Sequence, residues 1–416
     1  MIRIFPIGNL FTKVLRKLKS LGKLVVRIVN PPVPLVCGTL DYDDVRIAKW
    51  QLKHRSRWIN ETIEKKFTDK FAGWNGSKYA FSFLSGRVAL SACIFSLELM
   101  PDDEVIVPGY TCIVVPNAFD FSGVKVVYSD IELETYGLDV SSIEKNITSK
   151  TKAIMLHHLF GLVCRDYEKI IALARKHNLY VIEDCAHSTG AVFKNSKIGN
   201  LGDIAFYSSE MSKIFNTNQG GMVVTNNDFL AKNLSRFYEH APYPDAERIE
   251  KQLCNVIVNY YRFKHPLRHL LGVKYEQRYK DKIYDSTTEE EIQGIKPRDY
   301  GCKMPAAISL LGINQLRKID NYNLKRRKNS KRWALWCEQN NYKKPLVLPG
   351  SVPVFLRYPV CVGPEKKKDV SWAYKETGIT PGRWFLTNIH PSKKPIPGCP
   401  VADKAVEECI NFPTLL

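Results

Sequence analysis

Between Val181 and Asn226 the chain reads VIEDCAHSTG and then, from Gly202, GDIAFYSSEMSKIFNTNQGGMVVTN. One acid, Asp184, closes an apolar run, and one lysine, Lys213, stands in a polar turn ahead of Gly220 and Gly221. A lysine amine can form a Schiff base with an aldehyde, and a carboxylate can hold a pyridine nitrogen protonated so that the ring accepts electrons. That order of groups suits pyridoxal phosphate (PLP) chemistry. A single turn lysine is ordinarily solvated and a strand-end aspartate ordinarily caps a helix. The matched register of the whole block favours chemistry for both.

Such residues need strands that end together. Apolar strands are predicted at Glu104–Val107, Lys125–Tyr128, Ala153–Leu156, Tyr180–Ile182, Ile204–Tyr207 and Met222–Thr225, with helices at Val88–Leu99 and Tyr167–His177. This alternation argues for an α/β fold with a mostly parallel sheet wrapped by helices. Ligands then bind beyond the carboxyl ends of the strands, where Asp184 falls. A basic, aromatic insertion at residues 243–296 interrupts the pattern. A helix over Pro305–Asp320 and a mixed carboxy-terminal part with short strands such as Pro353–Val362 follow. The predicted organisation is an amino-terminal helix and linker (1–36), a large domain (37–242), the insertion (243–296) and a smaller carboxy-terminal domain (297–416).

The 416 residues exceed one ordinary domain, and 44% apolar with 25% charged residues is an ordinary globular composition. No run of eighteen apolar residues occurs, which argues against a spanning helix. The eleven scattered cysteines contain no CxxC pair and read as reduced thiols of a cytoplasmic protein rather than a zinc site. The formal charge of +19 is uneven. Residues 1–30 hold seven Lys/Arg and no acid, and residues 251–283 hold eight against Glu276 and Asp281. A third basic run comprises Lys325, Arg326, Arg327, Lys328, Lys331 and Arg332. Such charge favours phosphate-bearing partners. In residues 1–30, Leu10, Phe11, Val14, Leu15, Leu18, Leu21 and Val25 share one helical arc, opposite six Lys/Arg. That pattern suits either a helix lying in an anionic membrane surface or one packed on the protein body.

The motifs together resemble the DegT-type sugar aminotransferases, a branch of the fold type I PLP enzymes. The likeness is densest over residues 80–240 and returns from about 297 to the end. The resemblance implies that Gly86 and Arg87, in Ser85-Gly86-Arg87-Val88, touch the cofactor phosphate at a helix N-terminus. Many relatives carry a hydroxyl residue where Arg87 stands. In Pro108-Gly109-Tyr110-Thr111-Cys112 the family usually has a ring-stacking aromatic at the position of Cys112, so Tyr110 is a candidate for that role. Asp184 would pair with the pyridine nitrogen, His187 would lie near the cofactor hydroxyl, and Ser208 would bind the phosphate. Lys213 would hold the cofactor and then move the proton, a role that requires a neutral amine. Some relatives place histidine there and dehydrate instead. A partner-subunit Asn usually follows in a G-Y-N-Y-R-M block. Here Gly301 occupies its place, leaving Arg298 and Lys303 as candidate replacements. Asn388-Ile389-His390-Pro391 is similar to the family's substrate-side segment, and Asn411-Phe412-Pro413 to its closing motif, so His390 is a substrate candidate and the fold is expected to be complete.

The resemblance implies a PLP-dependent large domain and a smaller α+β domain in a homodimer. The activity implied is amino transfer, usually from glutamate, to a keto sugar, most often nucleotide-linked, in cell-surface polysaccharide biosynthesis. Two alternatives stay open. One is amination of a lipid-linked or other membrane-borne carbonyl compound on the inner membrane face, and the other is a non-catalytic PLP- or sugar-binding relative. Nucleic acid is not an expected partner, because the basic stretches carry no nucleic-acid-binding signature.

Overall fold

The computed structural model describes residues 33–416, so the amphipathic segment expected within residues 1–30 lies outside the described residues. In chain order, α1 (Tyr42–Lys53) and α2 (Glu61–Asn75) lead into β1 (Tyr79–Phe83) and α3 (Gly86–Ser96). Strands β2 (Glu104–Pro108), β3 (Lys125–Ser129) and β4 (Thr151–His157) follow. After α4 (Tyr167–Lys176) come β5 (Tyr180–Asp184), β6 (Ile204–Ser208) and β7 (Gly221–Thr225). The remaining main elements are α5 (Ala246–Asn259), α6 (Arg268–Arg278), α7 (Ala306–Gln339), β8 (Arg357–Cys361) and β9 (Cys409–Pro413).

Seven strands form one sheet in the order β1-β7-β6-β5-β4-β2-β3. The pairs from β6 through β3 are parallel, and β7 runs antiparallel to both of its neighbours. The sequence pattern did not yield β1, whose residues alternate aromatic with small. Successive side chains of a strand point to opposite faces, and β4 shows the result. Ile154 and Leu156 join a core with Phe67, Phe71 and Leu311, while Ala153 and Met155 join another with Val88 and Leu90. Near-continuous apolar strands are what a sheet covered on both faces requires.

Helix α7 extends nineteen residues beyond the predicted Asp320, because residues 321–339 contain no Gly or Pro and Trp333 and Cys337 remain buried along one side. Trp333 stacks on Phe412 of β9 with ring centroids 4.1 Å apart and donates its indole N–H to Pro413 O. These residues centre a third core with Tyr110, Tyr358 and Phe385. Arg326, read in the sequence as part of a basic run, is buried and donates to Leu356 O and Thr414 Oγ1. All eleven cysteines are free thiols. Among the described residues, no helix is long and apolar enough to cross a membrane.

The sheet's register builds the site. Ser208 pairs with Gly221, and Gly221 pairs with Phe83, so the ends of β6 and β1 lie beside the start of α3. A methyl group at Gly86 would come within 2.9 Å of Ser208 Cβ, and one at Gly221 would collide with the Ser85 carbonyl. Glycine is therefore required at both positions for the helix to seat on the strand ends.

Candidate active site

A cavity of about 480 Å³ opens at the carboxyl ends of the parallel strands, within the size range of small-molecule sites. Asp184, the last residue of β5, lies on its wall beside His157, its register partner at the end of β4. Lys213 enters from the turn between β6 and β7, and Ser208 from the end of β6. Gly86 and Arg87 form the opening turn of α3, whose first N–H groups lack intrahelical partners. Ser85 Oγ, the N-cap, accepts the Val88 N–H.

Lys213 Nζ lies 2.9 Å from His187 Nε2 and 5.1 Å from the centroid of the Trp384 ring. Phe160 N–H donates to His187 Nδ1, so the ring proton belongs on Nε2 and points at Lys213. Burial, with Lys213 and Arg357 nearby, holds the imidazole of His187 well below its ordinary pKa and keeps it neutral. Trp384 stacks on His187 with ring centroids 5.1 Å apart, and the Arg357 guanidinium lies 4.2 Å from the centroid of the same indole.

Asp184 Oδ1 accepts the Ala186 N–H at 2.9 Å. Burial raises its carboxyl pKa, opposed by that bond and by the charges of Lys213 and His158. A half-buried carboxylate held in the cavity wall at a desolvation cost is the group that a cationic ring nitrogen would satisfy. The donor set therefore fits PLP: a hydroxyl and a helix N-terminus for phosphate, a carboxylate for the ring nitrogen and an amine for the aldehyde.

Four of the sequence candidates fall elsewhere or take other partners. Tyr110 does not line the cavity. It is fully buried, its hydroxyl accepts the Phe385 N–H and donates to Trp384 O, and its ring is taken by Phe385 and Tyr136. It props the segment that carries Trp384, and Cys112 faces the cavity instead, across from His390 through a short parallel pairing. Arg87 lines the cavity, but its guanidinium pairs with buried Glu291 and donates to Ser286 O. Arg298 and Lys303, expected to serve a partner subunit's cofactor phosphate, lie outside this chain's own cavity. Lys303 and Met304 join the β1 edge by backbone pairing, which sends the lysine 4.4 Å over the Tyr243 ring. Arg298 is exposed in the turn before them. His390 is on the cavity wall, with its pKa lowered by burial.

Other site residues were not singled out from sequence. The insertion contributes Ser286 and Thr287 to the cavity wall, and Arg248 and Tyr284 both donate to Gln219 Oε1. That explains the Asn218-Gln219 pair ahead of Gly220: Asn218 takes a positive φ and bonds Tyr284 and Asn259, tying the insertion to the lysine turn. Trp384 and Arg357 carry no local signal, since packing between distant segments brings them in. His157 was findable, as the residue after a predicted strand adjacent to Asp184.

Next to the cavity, His158, Glu183 and Cys185 are buried together with ligand atoms close enough for an ion. Glu183 is already filled: Leu201 and Gly202 N–H donate to Oε1, and His158, Tyr167 and Gly199 to Oε2. Burial would raise its pKa, and these bonds outweigh burial to hold it below the usual value. The cluster is a brace for the loop after β5.

His157 donates from Nε2 to Tyr136 O at 2.6 Å, and burial lowers its pKa to about 4. Below its ordinary pKa the unfolded chain takes up a proton that the folded chain refuses. Stability present above pH 6.5 is therefore lost as pH falls toward 4, by about 3 kcal/mol from this group. Urea midpoints at pH 7 and pH 4.5 should drop steeply for the wild type and less for His157→Gln. Equal slopes would contradict the assignment.

A model of the DegT/DnrJ/EryC1/StrS aminotransferase family matches residues 43–415. The chain belongs to this family. Among relatives in the DegT family, GDP-perosamine synthase of Escherichia coli O157:H7 is 43% identical over 177 residues, 42% of this chain and 48% of that protein. The chain thus spans about half the length of the curated relatives it matches. The aminotransferase from Psychrobacter cryohalolentis superposes with a TM-score of 0.69 at 24% identity, covering 90% of this chain and 93% of that one. A second solved relative, NtdA from Bacillus subtilis with bound cofactor PMP, gives a TM-score of 0.69 at 21% identity over 91% and 79% of the two chains. The DegT-family fold, α/β with a mostly parallel central sheet, is that read from the sequence.

Proposed function

We propose that this chain is a PLP-dependent aminotransferase that moves an amino group from glutamate to the keto carbon of a nucleotide-linked sugar in surface-polysaccharide biosynthesis. The observation that carries the reading is the convergence of Lys213 and Asp184 on one cavity, with Ser208 and the α3 N-terminus beside them. Bound PLP would act as the electron sink for amino transfer. Asp184 would keep the ring nitrogen protonated, and Ser208 with the first turn of α3 would hold the phosphate. Lys213 Nζ, 2.9 Å from His187 Nε2, would carry the proton between the amino-bearing carbon and the cofactor carbon in each half-reaction. His390 and Arg357 are this chain's own groups for the oxygen-rich and anionic parts of donor and sugar.

The names of the relatives support the nucleotide-linked class: GDP-perosamine synthase, and a transaminase named for dTDP-3-amino-3,6-dideoxy-alpha-D-galactopyranose. A homodimer working on the inner face of the membrane, with residues 1–30 as its contact, completes the proposal. The test is to mix the full chain, PLP, glutamate and nucleotide-linked keto sugars and follow 2-oxoglutarate. Formation that requires the sugar supports the reading. A protein that stays colourless with PLP would discard it in favour of a non-catalytic relative. Colour lost with glutamate but no turnover of any nucleotide-linked sugar would discard the substrate class.

A further inference from the structure

We infer that the outward face of α6, together with the adjoining face of α1, docks on an anionic phospholipid surface. The inference deepens the membrane-face part of the proposed function and rests on it. On α6 and the residue before it, Leu267, Leu270 and Val273 recur at helical spacing and are 54%, 63% and 57% exposed. Lys274, Gln277 and Arg278 share their arc and are also exposed, and the arc holds no acid. The acid of this helix, Glu276, lies to the side and pairs with Arg262.

The helix does not need a partner to be held. Its inner side carries Tyr275, stacked on Tyr261 at 3.7 Å, and Gly272, which allows a close approach to the Arg262 backbone. Lys49 of α1 lies 5.6 Å over Tyr261 and 6.0 Å over Tyr275, joining the two helices side by side. Around Lys49, the α1 arc presents exposed Tyr42, Arg46, Trp50 and Lys53, and its one acid, Asp43, is half-buried and paired with Arg317 and Lys318. An apolar stripe, cations on its flanks and amphipathic aromatics at its border form the pattern of an in-plane membrane contact.

Two observations choose the occupant. Residues 251–283 carry eight Lys/Arg against two acids, so a second copy of this face, or the acid-free residues 1–30, would set like charge against like. Anionic headgroups complement it. The described chain also begins nearby: Lys264 Nζ donates to Gly38 O at 2.8 Å, so the path of residues 33–38 passes the start of α6.

The test is sedimentation of the full chain with vesicles of phosphatidylglycerol and phosphatidylcholine in equal parts, and with pure phosphatidylcholine. Wild type should bind the first and not the second, with affinity falling as salt rises. The double variant Leu270→Glu/Val273→Glu should lose about tenfold in partitioning, and Lys274→Glu/Arg278→Glu should lose a comparable amount. Both should keep their oligomeric state and bound PLP colour. Unchanged partitioning of the double variants, or equal binding to both vesicle types, would overturn the inference. So would a variant whose oligomeric state changes while its vesicle binding does not, which would assign the face to a second copy. Vesicle partitioning is measured without turnover, so it fails or succeeds separately from transamination.

Discussion

Lys213→Ala should abolish amino transfer, with turnover lower by at least ~10³-fold, the upper part of what a positioned proton-transfer group contributes. The same variant should fail to develop the visible band that the wild type shows with PLP. Lys213 is the amine of the cavity wall that reaches His187, with Nζ 2.9 Å from Nε2. Alanine removes both the nucleophile and the proton carrier, while the wall itself is untouched. His187 remains stacked on Trp384 and bonded by Phe160 N–H. The variant should therefore fold, with a thermal midpoint within a few degrees of wild type, and a small exogenous amine should restore part of the proton transfer. Retained activity, or an unchanged visible band, would remove Lys213 from the role.

How much of this site is legible from sequence depends on how local each part is. Asp184, Ser208 and the Ser85-Gly86-Arg87 turn each sit at the end of a strand or the start of a helix, and Lys213 in the turn joining two strands, where apolar runs and small residues mark the position. Parallel pairing then brings strand ends together without further information. Tyr110 shows the limit. Cys112 and Tyr110 are two residues apart, and only the packing of Phe385 and Tyr136 decides which of them leaves the wall. Trp384, which lines the cavity where an aromatic was sought, lies far away in sequence and arrives through the third core. Arg298 and Lys303 were expected to serve a partner subunit's site, and no motif alignment shows that backbone pairing with Phe83 sets Lys303 over the Tyr243 ring. The insertion was visible as composition, but its bonds from Arg248 and Tyr284 to Gln219 depend on a helix pair that only the fold reveals.

Asp184→Asn should separate the electrostatic role of the carboxylate from its place in the wall. The amide keeps an oxygen for the Ala186 N–H, so the loop after β5 should hold its shape. What changes is the group offered to a ring nitrogen, from a negative acceptor to a neutral amide that cannot stabilise its protonated form. Turnover should fall on the order of 10³-fold, as when a charge-stabilising group is removed from a dry site, while PLP still binds through the phosphate cradle. Stability should move the other way. Burial raises the Asp184 pKa, so the folded chain holds its proton to higher pH than the unfolded chain does. Above the ordinary carboxylate range the folded chain must keep a buried charge, and stability from this group falls as pH rises through the raised pKa. Asparagine has no such charge to bury. Cofactor-free Asp184→Asn should therefore unfold at an equal or higher urea concentration than cofactor-free wild type at neutral pH, and the gap should close as pH is lowered. PLP should stabilise the wild type more than the variant, because the ring nitrogen meets its countercharge there alone. A variant that keeps turnover within tenfold of wild type would show that the ring does not need this carboxylate. A cofactor-free variant less stable than wild type at neutral pH would show that the buried charge is not the cost inferred from its surroundings.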